Sequence, residues 1–349
     1  MTRTSNLHRL RAHAIAQSLF PPTTLRAAID RLGFIQADPI RSPARAQDLI
    51  LRHRVKGYCA GDLEQQYPSL DVEEDYLYAY GFMPRTIWRL VHPRSRTGLS
   101  ALEKKVLDLV SRYGPTHPRT LEAHLGPKRV INAWGGYSKA TTSALEDLHY
   151  RGLVRIARRE NGIRIYEAAP PFDESASPAE RLRKLIMTLV HILSPVPEKT
   201  LHANIARLRR LGNPRTILGE MLRAGELENE TIDGVRYLWL PSTHFKDLEL
   251  PRVRFLAPFD PLVWDRRRFE HLWGWPYRFE AYTPAAKRVR GYYAMPLLWR
   301  DRVIGWVNAS LNGGSLDVET GFVQKRPREK EFRTETDAEI ARMEKFLNV

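Results

Sequence analysis

A stretch of roughly seventy residues occurs twice in this chain at a near-constant offset, which restricts the fold to tandem copies of one small unit. Ser100-Ala101-Leu102-Glu103 is a capping box that opens a helix running to about Arg112. A second helix fits Pro118 to Leu125. A third begins near Ser138, carries Ala140, Ala144, Leu145 and Leu148 on one face, and stops at Gly152. Two alternating strands follow around Asn161-Gly162, the strongest short hairpin signal. Three helices and a hairpin make a winged helix. In the second copy Ser177-Pro178-Ala179-Glu180 is again a capping box, with proline at the first helical position. Leu218, Met221 and Gly225 match Leu145, Leu148 and Gly152, and a hairpin turns at Asp233-Gly234.

A more divergent copy fits residues 6–55, with helices over Asn6–Leu19, Thr23–Leu32 and Pro43–Arg54 and no clear wing. Residues 56–99 are aromatic and acidic and read as helical packing between units. From Val253 the chain turns strand-rich, with runs at 277–283, 291–299, 302–310 and 315–323 before a helix from Thr336 to Leu347. The expected fold is α+β: three tandem winged-helix units with a C-terminal strand-rich region. The expected boundaries are 1–99, 100–170, 171–250 and 251–349.

Lysine and arginine outnumber the acids 55 to 40, a formal charge of +15 over 349 residues, which favours a polyanionic partner. One cysteine, Cys59, excludes an intrachain disulfide, a four-cysteine zinc site and an iron–sulfur cluster. The eleven histidines lack zinc-ligand spacing, and no P-loop, dinucleotide glycine run or nucleophile-elbow serine occurs. No metal or cofactor is expected. With no signal layout and no apolar run long enough to span a bilayer, a cytoplasmic, nucleoid-associated monomer is expected.

Gln36-Ala37-Asp38 follows an apolar run and precedes Pro39. In an extended segment positions i and i+2 share a face, so an amide and a carboxylate stand side by side. The amide can hold a water and the carboxylate can polarise it or attract a developing cation. For DNA contact, winged-helix geometry places Lys139 and Thr141 at the groove and Arg158 and Arg159 on the wing. Lys128 and Arg129 in the preceding loop, Arg41 and Arg45 beside the Gln-x-Asp pair, and Lys287 and Arg288 complete the candidate DNA contacts. The segment from Trp264 to Tyr293 interleaves rings with arginines. It reads mainly as the core and rim of a small sheet, with Tyr282 and the Lys287–Arg290 loop reaching DNA.

These features together resemble the AlkZ/YcaQ-type crosslink-repair DNA glycosylases over nearly the whole chain. The specific element is Gln36-Ala37-Asp38 in its Gln-x-Asp form. Leu32-Gly33-Phe34-Ile35, Trp134-Gly135-Gly136, Leu256 to Arg266, Tyr282 to Arg288 and Gly291-Tyr292-Tyr293 fit the same family. In place of a Trp-x-His segment before proline, this chain reads Tyr78-Ala79-Tyr80-Gly81-Phe82-Met83-Pro84, a departure that bears on substrate range. The resemblance implies hydrolysis of the N-glycosidic bond of N7-alkylated purines in double-stranded DNA, interstrand crosslinks included. Asp38 would activate water and Gln36 orient it, without Schiff-base chemistry. The rival reading is a winged-helix transcription regulator with no catalysis, which predicts a symmetric dimer on paired half-sites.

Overall fold

The computed structural model describes residues 3–131, 136–172, 176–241 and 252–349. In the first unit, α1 (Arg3–Ser18) and α2 (Leu25–Leu32) lead into β1 (Ile35–Gln36), followed by α3 (Ala46–Leu51) and α4 (Asp62–Gln66). β2 (Val72–Tyr76) and β3 (Tyr80–Pro84) then form a hairpin before α5 (Arg85–Val91), and the sheet order is β1-β3-β2. This corrects the expectation of helical packing over residues 56–99: the first unit has a wing. Its sequence hides the strand because Glu73, Glu74 and Asp75 are all buried. Arginines, not apolar neighbours, cover them, so β2 lacks the hydrophobic alternation by which strands are read.

The second unit runs α6 (Ala101–Tyr113), α7 (Pro118–Leu125), β4 (Arg129–Ile131), β5 (Tyr137–Lys139), α8 (Ala140–Arg151), β6 (Val154–Glu160) and β7 (Ile163–Ala168). Ser138 lies in β5 and α8 starts at Ala140, so the expected helix start gives way to an inserted hairpin. Trp134 and Gly135 lie outside the described residues. Both capping boxes form: Ser100 and Ser177 each accept from the glutamate amide three residues on, and each glutamate returns the bond. The third unit runs α9 (Pro178–Leu193), β8 (Val196–Pro197), α10 (Glu198–Ile205), a 3₁₀ turn (Ala206–Leu211), α11 (Pro214–Arg223), β9 (Glu228–Ile232) and β10 (Val235–Trp239). Its sheet order, β8-β10-β9, repeats that of the first unit, and in the second a bridge from Thr116 to Tyr166 takes the place of β1 and β8. One topology thus recurs three times, with β1 as the short first strand of its unit.

The C-terminal region contains β11 (Val253–Phe255), α12 (Arg266–Trp273), β12 (Met295–Trp299), β13 (Arg302–Asn312), β14 (Ser315–Phe322) and α13 (Lys330–Leu347), its strands antiparallel in chain order. The strand expected over 277–283 is absent; Tyr277 donates to the Ala294 carbonyl at 2.6 Å and Glu280 organises a loop. The cores ignore the repeat boundaries. One joins the first two units to the C-terminal sheet and α13, a second joins the first unit to α9–α11, and a third packs α1 against β10 and α12. Arg54 and Asp260, both fully buried and paired at 2.8 Å, tie the first unit to the C-terminal region.

Candidate active site

β1 ends where the Gln-x-Asp pair begins. Gln36 pairs with Gly81 of the wing, and the Ala37 amide donates to the Tyr80 carbonyl at 2.9 Å, extending the pairing by one residue. The approach is close: a Cβ at Gly81 would lie 2.2 Å from the Ile35 carbonyl oxygen and 2.9 Å from Gln36 Cα, so only glycine fits. The wing that the sequence hid is therefore the element that holds the candidate site.

Gln36 and Asp38 are both half-buried. The Gln36 Oε1 is buried and accepts no hydrogen bond. Asp38 Oδ1 accepts from the Ile40 amide at 2.9 Å. Burial raises the Asp38 carboxyl above its ordinary range, with the Ile40 amide opposing, and among the described residues it makes no ion pair. In a chain with +15 formal charge, that carboxylate has been left without a cation.

The residues around Asp38 come from the other end of the sequence. Tyr293 is buried, and its phenol is pushed well above its ordinary value, first by burial and then by the Asp38 charge. Its hydroxyl has no hydrogen-bond partner. Tyr282, 78% exposed, is raised by the same two causes and forms the outer rim. The loop carrying Tyr282, Lys287 and Arg288 is folded by Glu280, whose Oε2 accepts from the amides of Val289, Arg290 and Gly291 at 2.9, 2.8 and 3.2 Å. Tyr293 and Glu280 are the site residues that sequence reasoning missed. Their signals in the sequence were the ring-and-charge interleaving after Trp264 and, for Tyr293, its place in the Gly291-Tyr292-Tyr293 stretch, neither of which gave it a role.

The candidate DNA contacts divide. Arg41 is exposed, as are Lys128, Arg129 and Lys287. Arg288 donates to the Thr283 carbonyl at 2.8 Å and lies 5.0 Å from the Tyr292 ring, on the same rim as Tyr282. Arg158 is exposed but pairs with Glu160 at 2.6 Å. Three assignments need correction. Arg159 is turned inward onto buried Glu74, with its Nε 3.0 Å from Glu74 Oε2. Arg45 pairs with Glu64 at 2.5 Å and is mostly buried. Thr141, in the first turn of α8, is buried, whereas Lys139 at the N-cap position of α8 is exposed and pairs with Glu122 at 2.6 Å. Trp273, Trp275 and Tyr277 are core, in keeping with the sheet-core reading of that segment. Tyr78 is buried and Tyr80 donates to Glu74 at 2.8 Å, so the segment replacing Trp-x-His is built into the wing.

Among the described residues no three histidine, cysteine or carboxylate side chains gather in a way that could hold a metal ion. Among the same residues no helix is long and apolar enough to cross a membrane.

The repeated winged-helix units thus carry a half-buried amide and a half-buried carboxylate, which makes no ion pair among the described residues, at the end of a short strand. The chain matches the family model described as DNA glycosylase AlkZ-like over residues 29–346, and it belongs to that family. It is similar in fold to the Streptomyces sahachiroi DNA glycosylase AlkZ, with a TM-score of 0.65 and 14% sequence identity over 98% of this chain and 96% of that one. The family makes it a DNA glycosylase of DNA repair, and a DNA-binding protein on that account.

Proposed function

We propose that the chain hydrolyses the N-glycosidic bond of N7-alkylated purines in double-stranded DNA, unhooking interstrand crosslinks among them. The observation that carries this reading is the unpaired, partly desolvated Asp38 beside the orphaned Gln36 oxygen. A purine alkylated at N7 is already cationic and leaves without protonation by a general acid. What remains is to stabilise positive charge on the sugar and to deliver water to its anomeric carbon. A carboxylate already paired with arginine would have its charge neutralised. Asp38 is free to oppose the oxocarbenium ion and to take a proton from the attacking water. Gln36 Oε1 can accept a hydrogen bond from that water's other O–H, which orients it, and the Tyr293 hydroxyl can donate to the water or to the carboxylate. In the sequence no lysine adjoins the pair as an amine nucleophile, which fits a monofunctional glycosylase. The Tyr282 rim, set among exposed residues, suits a shallow site, because a crosslinked base is tethered to the opposite strand and cannot be extruded into a deep pocket.

The test is release of base from duplex DNA containing N7-methylguanine, and then from a nitrogen-mustard crosslink. Gln36→Ala and Asp38→Asn should abolish release while DNA binding stays within a few-fold of wild type. Full activity in both variants would remove these residues from the mechanism. Sequence-specific binding with no release from either substrate would favour the regulator reading.

A further inference from the structure

The three repeated units converge on a cavity of about 400 Å³ between the tip of the first wing, α8 and the 3₁₀ turn of the third unit. Arg94, Arg151, Arg207 and Arg210 line it together with Tyr76 and Tyr150, and Asp147 is the one carboxylate in its wall. Two of the arginines are bound only to main chain. Arg207 donates to the Tyr78 carbonyl at 2.8 Å, and Arg210 donates to the Val91 carbonyl and, at 3.3 Å, to that of Pro93. Among the described residues neither pairs with a carboxylate. Burial, with the like charges of Arg94 and Arg181 nearby, pushes Arg210 down to about 10.

Beside this charge stand two exposed rings. Tyr76 is 47% and Tyr150 54% exposed, their centroids 6.1 Å apart and nearly perpendicular. The Arg94 guanidinium covers the Tyr150 ring at 4.4 Å and, bonded to Asp75 and the Tyr150 carbonyl, holds it in place. A concave junction of about this volume, with cations on one wall and a rigid aromatic face on another, has the two halves of nucleotide recognition. We propose that the cavity binds one nucleoside monophosphate unit, with its phosphate on Arg207 and Arg210 and its base on Tyr150. The unit is either a nucleotide displaced from DNA or a free nucleotide. The proposal is independent of Gln36 and Asp38, but the cavity is joined to them: Tyr76 pairs with Tyr80, whose carbonyl holds Ala37.

Calorimetric titration of the full chain with deoxyguanosine monophosphate, inorganic phosphate and a single strand of about ten nucleotides tests this. Arg207→Gln combined with Arg210→Gln should weaken nucleotide and phosphate alike, by at least tenfold. Tyr150→Leu, at an exposed position, should weaken the nucleotide roughly tenfold and leave inorganic phosphate unchanged. Variant-sensitive binding of the free nucleotide identifies it as a ligand; sensitivity confined to the single strand identifies a displaced nucleotide. If neither variant alters any ligand, the cavity is not a binding site. If the arginine pair matters and Tyr150 does not, it is an anion site and the nucleotide assignment fails.

Discussion

A buried hydroxyl without a partner is costly to keep, and Tyr293 keeps one beside Asp38. Tyr293→Phe removes the oxygen and nothing else. Its thermal midpoint should hold or rise while base release falls about a hundredfold, the scale of one positioned proton-transfer partner at the low end. A variant that loses stability and activity in parallel would make Tyr293 a packing residue. Asp38 gives a pH signature of the same arrangement. Only its ionised form can take the water's proton, and burial holds its proton on above the ordinary carboxylate range. Base release should therefore climb with pH along a limb centred above the usual aspartate value, and Asp38→Asn should abolish the limb with the activity. A flat profile through the acid range would remove Asp38 as base. Gln36 and Asp38 stand out in the sequence as a local pattern of an amide and a carboxylate two residues apart, although only Gln36 lies in β1. Tyr293 and Glu280 do not, since only tertiary packing brings the C-terminal region onto β1.

The two wings are joined by charge. Glu74 lies in β2 at 2% exposure. Its burial favours the neutral acid, but Arg159, Arg164 and the Tyr80 hydroxyl overcome that and hold it below the usual glutamate range. Glu73 bonds Arg85 and Arg155, both Nε atoms within 2.9 Å, although there burial wins and keeps the carboxyl above the usual glutamate range. Deleting one member leaves a buried carboxylate short of its cation, so Arg159→Ala should cost about 3 kcal/mol of stability. Arg158→Ala, on the outer face, should leave stability within about 0.5 kcal/mol and reduce the salt dependence of DNA binding. Denaturant unfolding and binding titrations at several salt concentrations separate the two; equal effects on DNA affinity with no loss of stability in Arg159→Ala would restore Arg159 to the DNA face. The helices of the second and third units were legible from capping boxes and period. The first wing was not, because acidic strands buried against arginines carry no apolar period. The hairpin β4–β5 escaped because Arg129–Ile131 and Tyr137–Lys139 are too short for one.

Across the molecule, several arginines face inward onto carboxylates. Arg52 reaches Glu339 of α13, Arg54 pairs with Asp260 and Arg155 with Glu73. These pairs cancel charge for charge, so the +15 excess is left for DNA to meet, and the inward arginines act on buried histidines at the joints between regions. His13 of α1 bonds Ser194 after α9 at 2.8 Å; burial, then Arg268, lowers it to about 4. His53 bonds the Phe255 carbonyl at 3.0 Å, and burial with Arg52 and Arg254 holds it well below its ordinary value. His92, locked against Asp75 under α5, is lowered by burial although Asp75 opposes the shift. All three are neutral in the folded chain, whereas the unfolded chain takes up protons below about pH 6.5. Where the unfolded state binds more protons, stability rises with pH. Stability should be complete above that value and fall as pH drops from 7 toward 5, by on the order of 1–2 kcal/mol for a histidine shifted as far as His13. Asp75 adds nothing in this window, because its depressed carboxyl is ionised in both states there. Denaturant midpoints between pH 5 and 7 measure the slope, and His13→Asn should flatten it by that residue's share. A midpoint independent of pH over this range would mean that the joints open to solvent and that the units are not held as one body.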